Sequence, residues 1–217
     1  MRLRLIYSGE LKASQQPDPH TGKPKQVSNK HQIRKAFHIQ LKRFWEQDSF
    51  LNSARVVPDY YGVDTFILDY EKIWQPDANK QVSLNKAVAN KHQEFGYKFV
   101  PLARKDWKLH CKLQILLLRQ DGINSAVSAG DIDNRVKTII DALTKPAHRN
   151  QLPANESPSE GEDPFYCLLE DDGLVTSLEV ESDILLLSNF PNNHAHVIVS
   201  AEIRPHTVNM FNLSFAS

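Results

Sequence analysis

The sequence is short of several things. Cysteine occurs only at Cys111 and Cys167, in no metal-ligand spacing. Neither a disulfide framework nor a zinc ribbon is expected, and a reducing cytoplasm suits such a chain. No window approaches the roughly 20 apolar residues of a membrane span. The opening MRLRLIYSGELK carries Tyr7, Ser8 and Glu10 where a signal peptide needs an apolar core. A soluble cytoplasmic protein with no membrane partner is the expectation. The phosphate-cradling GxxxxGK[ST] of a P-loop ATPase and the Gly-x-Ser-x-Gly of a serine hydrolase are both missing.

Net charge is missing too, since 26 Lys+Arg balance 26 Asp+Glu over 217 residues. A nucleic-acid binder is usually basic, so the balance argues against one. The distribution reverses that. Residues 1–120 hold 21 basic and 11 acidic residues, a net of +10, and residues 121–217 hold 5 and 15, a net of −10. Such asymmetry points to a polyanion partner, a cation site, or both.

The patterning suits one domain. Residues 2–7 alternate as a half-buried strand, and 13–30 read as a polar loop. A helix is expected from about His31 to Glu46, with Ile33, Phe37 and Leu41 at helical spacing. Residues 50–80 give only weak strand and loop signals, and 84–94 suit a short helix. Strands are expected at 97–102 and 109–118, the second buried on both faces at its apolar end. A second helix is expected over 133–143, then an exposed loop over 146–164, then a hairpin of strands 174–187 and 194–203. The fold class is α+β, a two-layer domain with a mixed sheet and helices packed on one face.

The chemistry concentrates in Gly130-Asp-Ile-Asp-Asn-Arg-Val-Lys-Thr-Ile-Ile-Asp-Ala-Leu143. Val136, Ile139, Ile140 and Leu143 form one apolar face. Asp133, Lys137 and Asp141 form a stripe on another, where Asp141 is expected to pair with Lys137. Asp131 and Asp133 stand at the helix start, where backbone N–H groups favour negative charge. A second acidic cluster, Glu170-Asp171-Asp172, precedes the strand that starts near Leu174. Carboxylates at a helix start and a strand start can converge, and convergent carboxylates suit Mg²⁺, a hard cation with oxygen ligands. For Asp171 a turn or capping role is expected.

The ordered pattern Asp131-x-Asp133-Asn134-x-x-Lys137-x-x-x-Asp141-Ala142-Leu143, a loop, then Asp171-Asp172-x-x-Val175 resembles the RusA family of Holliday junction resolvases. The resemblance implies a homodimeric, Mg²⁺-dependent endonuclease that resolves four-way DNA junctions by paired nicks in recombination and repair. It implies metal ligation by Asp131, Asp133 and Asp172 and a catalytic Lys137. The motifs cover about 45 residues. The family is usually shorter, so residues 47–100 look like an insertion and the loop 146–169 is also long. A nuclease for forks or flaps, or a non-catalytic DNA-binding module of the same fold, are the alternatives.

DNA contacts are expected on the basic half, at Lys12, Lys23, Lys25, Lys30, Arg34, Lys35, Lys42 and Arg43, a stretch with one acid, Asp18. No base-reading motif accompanies them, so recognition by shape and backbone is expected. The acidic loop residues Glu156, Glu160, Glu162 and Asp163 have no role in this reading.

Overall fold

The computed structural model describes residues 1–12, 25–56, 82–120, 129–187, 194–208 and 212–216. The chain is mixed α/β. Strands β1 (Arg2–Glu10), β6 (Leu109–Arg119), β8 (Val175–Ile184) and β9 (His194–Pro205) form a four-stranded sheet in the order β1-β9-β6-β8. β9 is antiparallel to both β1 and β6, whereas β8 is parallel to β6. A three-stranded sheet joins β4 (Gln93–Glu94), β5 (Tyr97–Ala103) and β7 (Phe165–Leu169), with β5 and β7 parallel. β2 (Arg55–Val56) and β3 (Val82–Ser83) form a short separate pair. The helices are α1 (Lys25–Gln47), α2 (Ser49–Ser53), α3 (Leu84–Lys91) and α4 (Ala129–Leu143).

Local chemistry explains these elements. In β1 the alternation buries Leu3, Leu5 and Tyr7 and exposes the residues between them. On α1, Ile33, Phe37, Leu41 and Trp45 recur every fourth residue and all are buried, a stripe worth roughly 1.5–3 kcal/mol per large side chain. Gln40 ties this helix to the edge strand, donating to the Ile6 carbonyl at 2.7 Å and accepting from the Ile6 N–H at 2.9 Å. Asp48 caps α2 by accepting from Leu51 N at 2.9 Å. The β4–β5 hairpin turns on Phe95 and Gly96, both at positive φ (56° and 84°), the geometry of a tight primed turn.

Several expected elements are present, but the expected hairpin of 174–187 with 194–203 does not form: β6 lies between β8 and β9, and β8 pairs parallel with β6. α1 begins at Lys25 rather than His31, and α4 begins at Ala129 rather than Asp133. The expected loop at 13–30 overlaps residues outside the described set, as does most of the weak region 50–80. β6 is interior to the sheet, yet it is not buried on both faces. Leu113, Ile115 and Leu117 are buried, and Leu116 and Leu118 on the other face are only half-buried. Among the described residues the sheet packs its helices on one side and nothing on the other, in keeping with a two-layer arrangement.

β7 was not anticipated. Its five residues, FYCLL, are all buried. Phe165 is the hub of a second core with Tyr97, Phe99, Leu152 and Cys167, and it stacks on His38 at 4.4 Å between ring centroids. Because β7 crosses α1, the loop before it packs on that helix.

Candidate active site

The DxDN segment occupies the first turns of α4. Asp133 and Lys137 are exposed, while Val136, Ile139 and Leu143 face the core. Ile140 is only partly buried. The Asp131 side chain is outside the described residues. Asp141 does not pair with Lys137. Its carboxylate meets Lys30 of α1 at 2.5 Å, and its carbonyl accepts from Arg34 Nη2 at 2.9 Å. The i,i+4 rule gave the wrong partner because the packed helix α1 offers a cation on the same side.

The second acidic cluster divides its roles. Asp171 caps the short 3₁₀ turn Asp172–Leu174, accepting from Gly173 N at 2.9 Å, and pairs with Lys105 at 2.8 Å. A Cβ on residue 173 would lie 2.8 Å from Asp171 Oδ1, so a side chain there would push the capping carboxylate aside. The Lys105 hydrogen bond, aided by the Gly173 N–H, holds the Asp171 carboxyl below its usual range. Glu170 accepts from the Lys105 N–H at 2.8 Å. The Asp172 carbonyl accepts from the Val175 N–H, while its side chain is exposed and enters no hydrogen bond or ion pair among the described residues. Asp133 and Lys137 are likewise unpaired among them.

The two acidic segments are anchored separately. Arg135, two residues past Asp133, donates to the Leu11 carbonyl just beyond β1 at 2.6 Å. Asp172 opens the turn into β8, whose first residue Val175 pairs with Cys111 near the start of β6. β1 and β6 run the same way, because both are antiparallel to β9. The end of β1 and the start of β8 therefore lie at opposite ends of the sheet. This follows from the parallel β6–β8 pairing, which forces the intervening chain to return before the next strand begins. A bridge between Thr144 and Leu169 fixes the other end of α4. Asp133 lies about 16 Å up the helix from Thr144, and residues 170–172 can recover at most about 10 Å of that. At least about 6 Å along the helix axis thus separates the Asp133 and Asp172 backbones. Among the described residues, no group of three or more His, Cys, Asp or Glu is placed to hold a metal ion. The expected convergence of a helix start with a strand start on one cage is not seen in them. The donors themselves, exposed and unpaired carboxylates, are of the hard oxygen type that Mg²⁺ takes.

The expected DNA contacts need correction. Arg34 is interior at 2% exposure, and its guanidinium donates to the Asp141 carbonyl and, at 3.4 Å, to that of Gln151. Burial pulls its pKa down to about 10, which leaves it charged at neutral pH. Lys35 bridges Glu156 at 2.7 Å and Glu162 at 3.2 Å. Burial opposes its charge, but those two carboxylates outweigh it and hold the ammonium above its usual range. Lys30 is taken by Asp141, and Lys12 meets Glu10 at 3.0 Å. Lys42 reaches the Gly161 carbonyl at 3.5 Å, and Arg43 is exposed. Lys23 and the Lys25 side chain fall outside the described residues.

The acidic loop thereby gains a role. Glu156 and Glu162 clamp Lys35, Asp163 meets Lys98 at 3.1 Å, and Glu160 stays exposed. Part of the charge asymmetry is internal pairing, Lys35 of α1 with Glu156 and Glu162 and Lys98 of β5 with Asp163. No described helix is long and apolar enough to cross a membrane. No family model matches the chain, and neither a curated protein nor a solved structure is significantly similar to it.

Proposed function

We propose that the protein is a Mg²⁺-dependent, structure-specific endodeoxyribonuclease acting on branched DNA, with the four-way junction as its substrate. The observation that carries this reading is selective pairing. Asp141 and Asp171 are paired with Lys30 and Lys105, while Asp133, Lys137 and Asp172, the positions singled out by the RusA-like pattern, are exposed and enter no side-chain ion pair among the described residues. An unpaired carboxylate near others stays ionised at little cost only where a cation or water meets it.

In this reading Asp131 and Asp133 would hold metal on α4, and Asp172 would offer a further carboxylate from the turn before β8. Mg²⁺ ordinarily takes one or two carboxylates, with waters and substrate phosphates completing its shell. When bound it supplies an activated water and charge stabilisation at the scissile phosphate. Lys137, one helical turn past Asp133, offsets charge building on the phosphate oxygens. Water oxygen bonds to phosphorus as the P–O bond to the leaving strand breaks, and the leaving oxygen takes a proton. Lys42 and Arg43, with Lys23 and Lys25, are the cations assigned to the DNA backbone, and Arg34 is not among them.

The test is an immobile synthetic junction, a fork and a duplex, each incubated with full-length protein and Mg²⁺ or EDTA. Paired nicks in the junction that need Mg²⁺ and fail with Asp133→Asn are the expected result. Equal cutting of the fork would shift the substrate class, and no cutting of any branched DNA would overturn the reading.

A further inference from the structure

The two edges of the four-stranded sheet differ. At β1, helix α1 reaches across the outer edge, because Gln40 donates to the Ile6 carbonyl and accepts from the Ile6 N–H. At β8 no described strand or helix lies beyond the edge. The Leu185 N–H donates to the Arg119 carbonyl of β6 at 2.7 Å, which fixes the direction of each β8 peptide. By alternation the N–H and C=O groups of Leu178, Val180 and Ser182 point outward, away from β6. The open run ends at Ile184, whose N–H donates to Asp183 Oδ1 at 2.7 Å.

The β8 side chains sort by face as well. Glu179, Glu181 and Asp183 are level with Gln114, Leu116 and Leu118, on the face away from the helices. Glu179 accepts from Gln114 Nε2 at 2.7 Å, and none of the three acids meets a cation among the described residues. Leu178 and Val180 are level with Leu113 and Ile115 on the helix side. Leu113 and Ile115 are buried, whereas Leu178 and Val180 are 45% and 37% exposed. Among the described residues the helix layer therefore stops short of β8. Leu186 and Leu187, just past the strand, are exposed too. The edge thus combines unpaired main-chain groups, an apolar ledge and a row of carboxylates.

We propose that β8 takes up an extended segment of a different protein as an added strand, one that alternates Lys or Arg with apolar residues. The main chain of that segment bonds the outward groups of Leu178, Val180 and Ser182. Its cations line up beside Glu179, Glu181 and Asp183, and its apolar residues cover Leu178 and Val180. No stretch of this chain outside the described residues has that pattern. Lys and Arg occur there only at Lys23, Lys72 and Lys80, never two apart. β1 does have it, in Arg2-Leu-Arg-Leu5, but Gln40 occupies its outer edge at Ile6, so a second copy does not supply the strand. Pairing β8 with the β8 of a second copy would set its carboxylates against their own kind. Three carboxylates in a row also repel a nucleic-acid backbone. The proposal does not depend on the nuclease reading, and its test needs neither DNA nor metal.

The experiment is fluorescence anisotropy of the full chain with a labelled peptide of about ten residues alternating Arg and Val, long enough to span β8. A peptide of the same composition in two blocks and one alternating Glu and Val are the comparisons. Wild type should bind the Arg/Val alternating peptide saturably, and each comparison peptide at least about tenfold more weakly. Val180→Pro removes an outward N–H at an edge position where proline is tolerated, and should raise the dissociation constant at least about tenfold. The double variant Glu181→Lys with Asp183→Lys should do the same and should gain affinity for the Glu/Val peptide. Circular dichroism should show both variants folded, and the double variant, altered only at exposed side chains, decides alone if proline disturbs the strand. No saturable binding by wild type, as when its own residues or a second copy fill the edge, would overturn the proposal. Equal binding of the block peptide, or wild-type affinity in the double variant, would overturn it as well.

Discussion

Lowering the pH from 7.5 to 5 should destabilise the fold through two buried histidines. His31 and His92 are 3% and 6% exposed, and burial pulls both rings down to about 4 from an ordinary value of 6.5. Arg34 and Lys35 add to the effect at His31, and Lys145 and Arg104 add to it at His92. The His31 ring does lie 3.6 Å from Glu156 Oε1, which favours its charged form. Burial and the two cations outweigh that carboxylate and Glu162, both of which Lys35 already engages. In the unfolded chain these rings bind protons near 6.5, so between 6.5 and 4 the unfolded state holds more protons than the folded one. Their contribution is complete above about 6.5 and is lost as the pH falls toward 4. At pH 5 each ring has lost about 1.5 units of linkage, or about 2 kcal/mol at about 1.36 kcal/mol per unit. Together they remove about 4 kcal/mol, a large part of an ordinary domain's stability. Urea unfolding at the two pH values measures this. His31→Gln should lower stability at pH 7.5 and cut the further loss at pH 5 by about 2 kcal/mol. A wild-type stability that is flat across the range, or a pH slope unaltered in His31→Gln and His92→Gln alike, would refute the reasoning.

Two other outcomes follow from the same contacts. Phe165→Ala removes a fully buried ring that packs on His38, Tyr97 and Phe99. It should cost about 3–5 kcal/mol and lower the melting temperature by roughly 6–20 °C in a scanning calorimeter. Lys137→Ala should reduce single-turnover nicking at least about 100-fold while junction affinity in a gel-shift assay changes less than about threefold, since its charge acts on the reacting phosphate.

Local signals in the sequence carry much of the architecture. The alternation in β1, β6 and β9 and the apolar face of α4 are visible because they depend on residues two to four positions apart. The contacts that fix charge are not local. Arg34 falls on the apolar stripe of α1 by spacing, three residues before Phe37 and seven before Leu41, so its burial was legible; its charge hid the Gln151 and Asp141 carbonyls that meet it inside. Lys35 does lie off the stripe, and only the docking of a loop more than 100 residues away reveals its carboxylates. β7 escaped notice because a short apolar run between Pro164 and an acidic cluster shows no alternation; as a parallel strand covered on both sides it has none to show. At the candidate site, the motif identified which acids to inspect, and the capping role expected of Asp171 is what the 3₁₀ turn displays. The separation of Asp133 from Asp172 was invisible, since it follows from the direction in which β8 pairs with β6.

Asp171 and Asp172 are neighbours in sequence with opposite surroundings, which makes them the sharpest pair to compare. Full-length Asp133→Asn, Asp171→Asn and Asp172→Asn should be assayed on a radiolabelled four-way junction with Mg²⁺, alongside wild type. The account predicts that Asp133→Asn and Asp172→Asn lose nicking by at least about 100-fold while still binding the junction, and that Asp171→Asn keeps most of it, because its carboxylate is spent on Lys105 and Gly173. Wild-type nicking by Asp133→Asn and Asp172→Asn, or a loss confined to Asp171→Asn, would contradict it.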